Sequence, residues 1–469
     1  MRKAKIICTI GPASDTEERL RQLLQAGMDV ARLNFSHGRY DEHLKKIKLI
    51  RKVSLEMNKP VAILQDLQGP KIRIGTFENP PINLNPGDLF TITTKDVPGN
   101  EHIVSTSYKH LPNDVQVGDH ILVNDGLIKL KVLEKSRFDV FCEVINGGAL
   151  YDKRGINLPG VNISEPSLTD KDKQDLQFGL DNGIDYVALS FVRDADSIRE
   201  IKGLIDTKRV PVIAKLEKPE ALQNLDAILE ASDGVMVARG DLGVEISAER
   251  VPVVQKEIIE KALMAGKPVI TATQMLDSMM VNPIPTRAET SDVANAIFDG
   301  SDAVMLSGET AFGKFPLRSV EMMSAIIAEA EKKNRYFRLE PIKFCCAGER
   351  EFSHSICHSA YYAANEIKAR CIVVFTRSGY TATVMSNFRP EVPILALTPN
   401  PGTMNRLCLY WGVIPVLLEA TIDIAEDLSP LESFLKKTQS IERGDHIVII
   451  SGSSQAEGGT NLLRLHTIA

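Results

Sequence analysis

Disulfides, membrane spans and nucleic-acid contacts all lack raw material in this sequence. Its seven cysteines are odd in number and show no Cys-x-x-Cys spacing. A disulfide framework and a zinc knuckle are therefore both unsupported, and a reducing cytoplasm is the expected setting. No apolar run approaches the roughly 20 residues that cross a bilayer. The short "IICTI" run near the start falls below the length of a secretory leader's apolar region. Aromatics are only 6% of the chain, with a single tryptophan, Trp411. The net charge is −6 and no basic tract runs beyond a few residues, which argues against a nucleic-acid partner. An anionic ligand must be met by a local basic site.

What the chain has is size and alternation. At 469 residues, 43% apolar and 25% charged, it exceeds one ordinary core, so two or three domains are expected. Eight short β-like runs, "KIICTI" (5–10), "DVARLNF" (29–35), "VAILQDL" (61–67), "DYVALSFV" (185–192), "VPVIAKL" (210–216), "GVMVARG" (234–240), "PVITATQ" (268–274) and "DAVMLSG" (302–308), alternate with amphipathic helices. That rhythm favours a parallel TIM-type (β/α)8 barrel, with a doubly wound sheet as the alternative. The rhythm breaks after the third run. "INLNPGDLFTITT", "VGDHILVNDGLIKLKVLEK" and "RFDVFCEVINGG" read as short alternating strands with Gly, Asn and Asp turns, a small β domain inserted at a strand's carboxyl end. The expected division is barrel over 1–69 and 166–343, an inserted lid over 70–165, and a C-terminal α/β domain over 344–469 whose four strands could form an open parallel sheet.

Polar residues gather at the strand ends, where barrel active sites lie. "AKLEKPE" puts Lys215 and Glu217 on one face by the two-residue period; "VMVARGDLGVE" gives Arg239, Gly240 and Asp241; Thr273 and Ser307 end the seventh and eighth runs; "ARLNFSHG" supplies Arg32, Asn34, Ser36 and His37. Taken singly, a Lys-x-Glu is most often a solvated ion pair and a Gly-Asp a turn or cap. Together they have the chemistry of phosphoryl or enolate work. Glu217 and Asp241 could hold one Mg²⁺ or Mn²⁺. Helix-opening amides at Gly240 suit a carboxylate or phosphate, and Lys215 and Arg32 can neutralise an anion in transfer.

With "CTIGP", "RLNFSHG", "VMVARGDLGVE", "ITATQMLDSM", "NPIPTRAE" and "DAVMLSGET" in this order, the chain resembles pyruvate kinase over nearly its whole length. The resemblance implies transfer of the phosphoryl group of phosphoenolpyruvate to ADP, giving pyruvate and ATP, with Mg²⁺. It makes Glu217 and Asp241 metal ligands, Lys215 the charge-stabilising lysine and Arg32 a phosphoryl contact. Gly240 and Asp241 become the carboxylate site, Thr273 a substrate contact near the protonated carbon, and Ser307 a proton relay. Asn34, His37, Arg73 and Arg154 fall on nucleotide positions, Arg154 where the family often has lysine. A pyruvate-handling barrel lyase is a rival, and would make pyruvate without ADP; a noncatalytic relative would have lost residues that are all present.

Two further expectations come from the resemblance. Family members hold K⁺ at positions matching Asn34, Ser36, Asp66 and the carbonyl of Leu67, with a glutamate where this chain has Lys71. A lysine ammonium can replace a monovalent cation, and Leu67, Gln68 and Ile74 depart from the potassium-requiring pattern, so K⁺ is expected to be dispensable. In the C-terminal domain "FTRSGYTA" offers Thr376, Ser378, Gly379 and Thr381 as a phosphorylated-effector loop. The last loop lacks the Arg and Trp that some relatives use for fructose 1,6-bisphosphate. A homotetramer is implied, with "NPIPTRAE" near a barrel–barrel interface.

Overall fold

A computed structural model describes residues 2–332, 349–418, 428–438, 441–452 and 459–469. The boundary expected at 343/344, and residues 453–458 of the last loop, lie outside them. All eight expected barrel strands form: Lys5–Thr9, Val30–Asn34, Ala62–Asp66, Tyr186–Leu189, Val212–Leu216, Gly234–Ala238, Val269–Ala272 and Ala303–Leu306. They pair in parallel in that order, and the first closes on the eighth with Lys5 opposite Ala303. The doubly wound alternative is thereby excluded. Both strand faces are buried, which is why these runs are almost continuously apolar rather than alternating.

Two concentric cores result. Outward-facing residues such as Ile6, Leu33 and Ile63 pack on the helices, while Ile7, Leu64, Tyr186, Ile213, Met236 and Met305 fill the barrel. The helices are set by local signals. Thr16 caps the helix Glu17–Ala26, which stops at Gly27 with φ +125°. Reciprocal caps open the helices Asp170–Asp181 (Thr169 with Asp172) and Arg287–Asp299 (Thr286 with Glu289).

Between the third strand and the helix Asp170–Asp181 lies the inserted β domain. Its six-stranded sheet encloses its own core around Phe90, Ile121, Leu130 and Val140. The C-terminal domain holds five strands, in spatial order Val413–Leu417, Ile394–Thr398, Cys371–Phe375, His446–Gly452 and Thr460–Thr467. The last runs antiparallel to its neighbour, so the sheet is mixed rather than purely parallel. That edge strand, "TNLLRLHT", has no clean alternation to read because only one end of it is buried. This domain also stoppers the barrel: Cys408 and Leu409 join the inner core, and Tyr186 donates from its hydroxyl to Arg406 O at 2.7 Å.

Candidate active site

Parallel strands bring their carboxyl ends to one mouth, and there three of them build a buried ionic cluster. Asp66, 1% exposed, ends the third strand between two cations. Arg32 Nε donates to its Oδ2 at 2.6 Å, and Lys215 Nζ stands 3.2 Å from its Oδ1. Lys215 also lies 2.8 Å from Glu217 Oε1 and donates to Ser190 Oγ at 2.7 Å. The Phe191 amide donates to Glu217 Oε2 at 2.7 Å, and Arg32 Nη1 donates to Thr9 Oγ1 at 2.9 Å. The two-residue period thus placed Lys215 and Glu217 together.

Burying such groups is costly unless they are paired, and their acidities show the pairing. Burial works to raise the pKa of Asp66, yet Lys215 and Arg32 hold it below its ordinary range. Burial works to lower that of Lys215, but Asp66 and Glu217 keep it raised. Glu217 goes the other way: burial raises it, Lys215 offsets this only in part, and Asp241 adds repulsion. Two carboxylates that repel each other are the donor chemistry a hard divalent cation relieves, so Glu217 and Asp241 fit Mg²⁺ or Mn²⁺. Among the described residues no group of three or more His, Cys, Asp and Glu converges as a metal site.

The seventh strand ends in strain. Thr273 and Gln274 have φ of +69° and +54°, a left-handed conformation that a β-branched residue adopts only when held. Arg239 holds it: Nη2 donates to Thr273 O at 2.8 Å and Gln274 O at 3.2 Å, while Nη1 is anchored on Asp292 at 2.7 Å. The Gly240 amide at the start of the helix Arg239–Ile246 donates to Thr273 Oγ1 at 2.7 Å, so it is engaged by this hydroxyl. Among the described residues Ser307 Oγ is buried without a hydrogen-bond partner. Its amide donates to the buried carboxylate of Glu309 at 2.7 Å.

Under the inserted domain lies a cavity of about 570 Å³ that brings together Ser36, His37, Gln68, Lys71, Arg73 and Arg154. Burial, then Arg73, Lys71 and Arg32, push the His37 imidazole below its ordinary pKa. Arg73 Nη1 donates to Lys153 O at 3.0 Å. Asn34 Oδ1 accepts from the Ser36 amide at 3.0 Å, and Leu67 O accepts from Ser190 Oγ at 2.7 Å. Lys71 makes no ion pair or side-chain hydrogen bond among the described residues.

Several residues escape a sequence reading. Ser190 ends the fourth strand, and the question asked of the other strand ends would have found it. Thr9 announces nothing by type, and Arg239, marked by its place at the end of the sixth strand, gives no sign in sequence that it grips the Thr273 and Gln274 carbonyls. Lys171 sits in "TDKDKQD", which reads as a solvated charge run, yet its Nζ donates to Phe35 O at 3.0 Å beside a cavity of about 260 Å³ with Tyr40 and His43. The C-terminal loop is a capped turn: the Gly379 amide donates to Thr376 Oγ1 at 3.0 Å and the Tyr380 amide to Ser378 Oγ at 3.4 Å. Thr381 Oγ1 lies inside, 2.6 Å from Thr460 Oγ1.

A closed parallel barrel with a buried, ion-paired polar mouth under an inserted β domain has the build of a barrel enzyme with its site at the strands' carboxyl ends. The family model "Pyruvate kinase, barrel domain" matches residues 1–320, and "Pyruvate kinase, alpha/beta domain" matches residues 354–466. Pyruvate kinase of Staphylococcus saprophyticus is 45% identical over all of this chain and 81% of that protein. Pyruvate kinase 2 of Synechocystis sp. is 47% identical over all of this chain and 79% of that protein. The crystal structure of a pyruvate kinase from Cryptosporidium parvum superposes with a TM-score of 0.92 at 37% identity, covering 100% of this chain and 96% of that one. The chain belongs to the pyruvate kinase family. It transfers the phosphoryl group of phosphoenolpyruvate to ADP, forming pyruvate and ATP in the last step of glycolysis. Enzymes of this family generally depend on Mg²⁺ and K⁺.

Proposed function

We propose that the transfer is carried by Arg32, Lys215, Glu217, Asp241 and Thr273. The observation supporting this is the buried Arg32–Asp66–Lys215–Glu217 cluster. A divalent cation held by Glu217 and Asp241 would supply positive charge to substrate oxygens. Arg32 and Lys215, already positioned by Asp66, neutralise the phosphoryl group as it moves, which is most of what such a transfer requires. Lys215 then stabilises the enolate. Thr273, fixed by Arg239 and Gly240, orients the carbon to be protonated, and the unpartnered Ser307 hydroxyl serves the proton path.

Asn34, His37, Arg73 and Arg154 take the nucleotide. Residues 70–165 act as a lid that excludes water. Residues 344–469 form a regulatory unit in which Thr376, Ser378, Gly379 and Thr381 meet a phosphorylated effector, in a homotetramer with 282–289 near a barrel–barrel interface. Light scattering, and substrate saturation curves with and without sugar phosphates, test these last two points; a monomer, or curves that do not move, would sink them.

Lys71 occupies the place of the monovalent cation. Its ammonium, unpaired among the described residues, lines the same cavity as Ser36 and His37. Full activity is expected with Mg²⁺ in K⁺-free, tetraalkylammonium-balanced buffer, and Lys71→Glu should gain a K⁺ requirement at reduced activity. A tenfold or greater activation of the unmutated enzyme by K⁺ would refute this role, since ~1.4 kcal/mol of missing charge stabilisation would then be supplied from outside.

A further inference from the structure

We infer that Glu245 is a positioning residue through which the inserted β domain docks on the helix that carries Asp241. On the helix Arg239–Ile246, Asp241 and Glu245 are one turn apart on one face. Glu245 is buried, and its Oε1 takes two donors: Lys218 Nζ at 2.6 Å and Asn157 Nδ2 at 3.0 Å. The two donors come from different parts of the molecule. Lys218 directly follows Glu217. Asn157 belongs to the inserted domain, in the strand Ile156–Asn157, where it pairs with Leu122. A single carboxylate oxygen therefore joins both segments expected to hold the divalent cation to the domain that covers them.

Among the described residues Glu245 Oε2 is buried with no hydrogen-bond partner, so the polar contacts of this carboxylate all fall on Oε1. A second touch point lies one residue away. The hairpin turn of the inserted domain carries Asn124, Asp125 and Gly126 in left-handed conformations, and a Cβ on Gly126 would stand 3.5 Å from Val244 Cγ1. Between the two contacts runs a narrow cleft of about 30 Å³ whose walls include Lys71, Asp125, Lys218 and Asp241. A space that small admits about one or two waters. Docking at Glu245 thus keeps narrow the cleft that opens on Asp241 from this side.

Loss of the docking should open a side reaction: water oxygen attacks phosphorus, the bond from phosphorus to the enol oxygen breaks, and the enolate takes a proton from solvent. Phosphoenolpyruvate and water would then yield pyruvate and inorganic phosphate with no ATP. The proposal rests on Glu217 and Asp241 being the divalent-cation ligands.

The test introduces a second carboxylate at the contact and then moves the charge across it. Asn157→Asp sets a carboxylate against Glu245, and Asn157→Asp combined with Glu245→Gln restores an amide–carboxylate pair. In Asn157→Asp, ATP formed per pyruvate should fall below one and kcat/KM for ADP should drop by about tenfold, as expected for like charges brought together at an interface. The double variant should recover most of both. Asn157→Ala, which introduces no charge, should shift the ATP-to-pyruvate ratio in the same direction. Mn²⁺ binding by electron paramagnetic resonance separates premise from proposal. An unmutated enzyme that does not bind Mn²⁺ would overturn the premise and the proposal with it. Mn²⁺ bound normally, with one ATP per pyruvate in both single variants, would overturn the docking role alone, as would a double variant no better than Asn157→Asp.

Discussion

At the scale of single residues, Lys215 and Asp66 carry opposite kinds of information. Lys215 is held in place by Asp66 and Glu217, so in the role proposed for it its charge would cost no reorganisation during the reaction. Lys215→Met should leave phosphoenolpyruvate binding measurable and lower kcat by roughly 10² or more. A variant keeping a third of the unmutated kcat would remove it from the mechanism. Asp66 is visible in stability. Its folded pKa lies below its unfolded one, so its contribution is complete above the ordinary carboxylate range and is lost as pH falls through the folded value. Asp66→Asn should therefore be less stable by about 3 kcal/mol at pH 7, with a deficit that shrinks toward pH 3. A deficit unchanged by pH in urea unfolding would contradict the assignment. Lys215 and Glu217 were legible because a strand's two-residue period is strict. Ser190 and Thr9 were not, because a hydroxyl becomes informative only when the charge it serves is seen.

The elements tell a similar story at larger scale. All eight barrel strands could be read from apolar runs, since a parallel strand buried on both faces leaves a plain record. The geometry at their ends could not, because it depends on side chains reaching between neighbouring loops. Nothing in "ITATQM" states that Thr273 is left-handed; Arg239, from the preceding strand's end, dictates it. In Arg239→Met the carbonyls of Thr273 and Gln274 lose their donors and the loop relaxes toward ordinary backbone. A displacement of about an ångström at a substrate contact is worth up to 10² in rate. We expect kcat to fall by about tenfold or more, with the fold's circular dichroism unchanged. Activity within twofold of the unmutated enzyme would show that the loop holds itself.

Across the whole molecule, the barrel and the C-terminal domain share one core. Cys408 and Leu409 pack among Ile7, Leu64 and Met305, and a buried ion pair of 2.9 Å joins Arg389 to Asp302. No period in the sequence marks this stopper, a short turn, Leu407–Leu409, between two ordinary elements. Leu409→Asp should cost about 3–5 kcal/mol by placing an unpaired charge in the barrel floor, and both domains should unfold in one shifted transition. Two separate transitions, or a shift under about 1 kcal/mol, would show that the floor does not depend on its stopper. Protein synthesis runs from the amino terminus, and the eighth strand is complete roughly a hundred residues before Leu409 is made. At ordinary elongation rates the ribosome needs on the order of 5–20 s for that stretch. For that interval the base of a nascent barrel lacks the apolar cover that Cys408 and Leu409 give it in the finished chain.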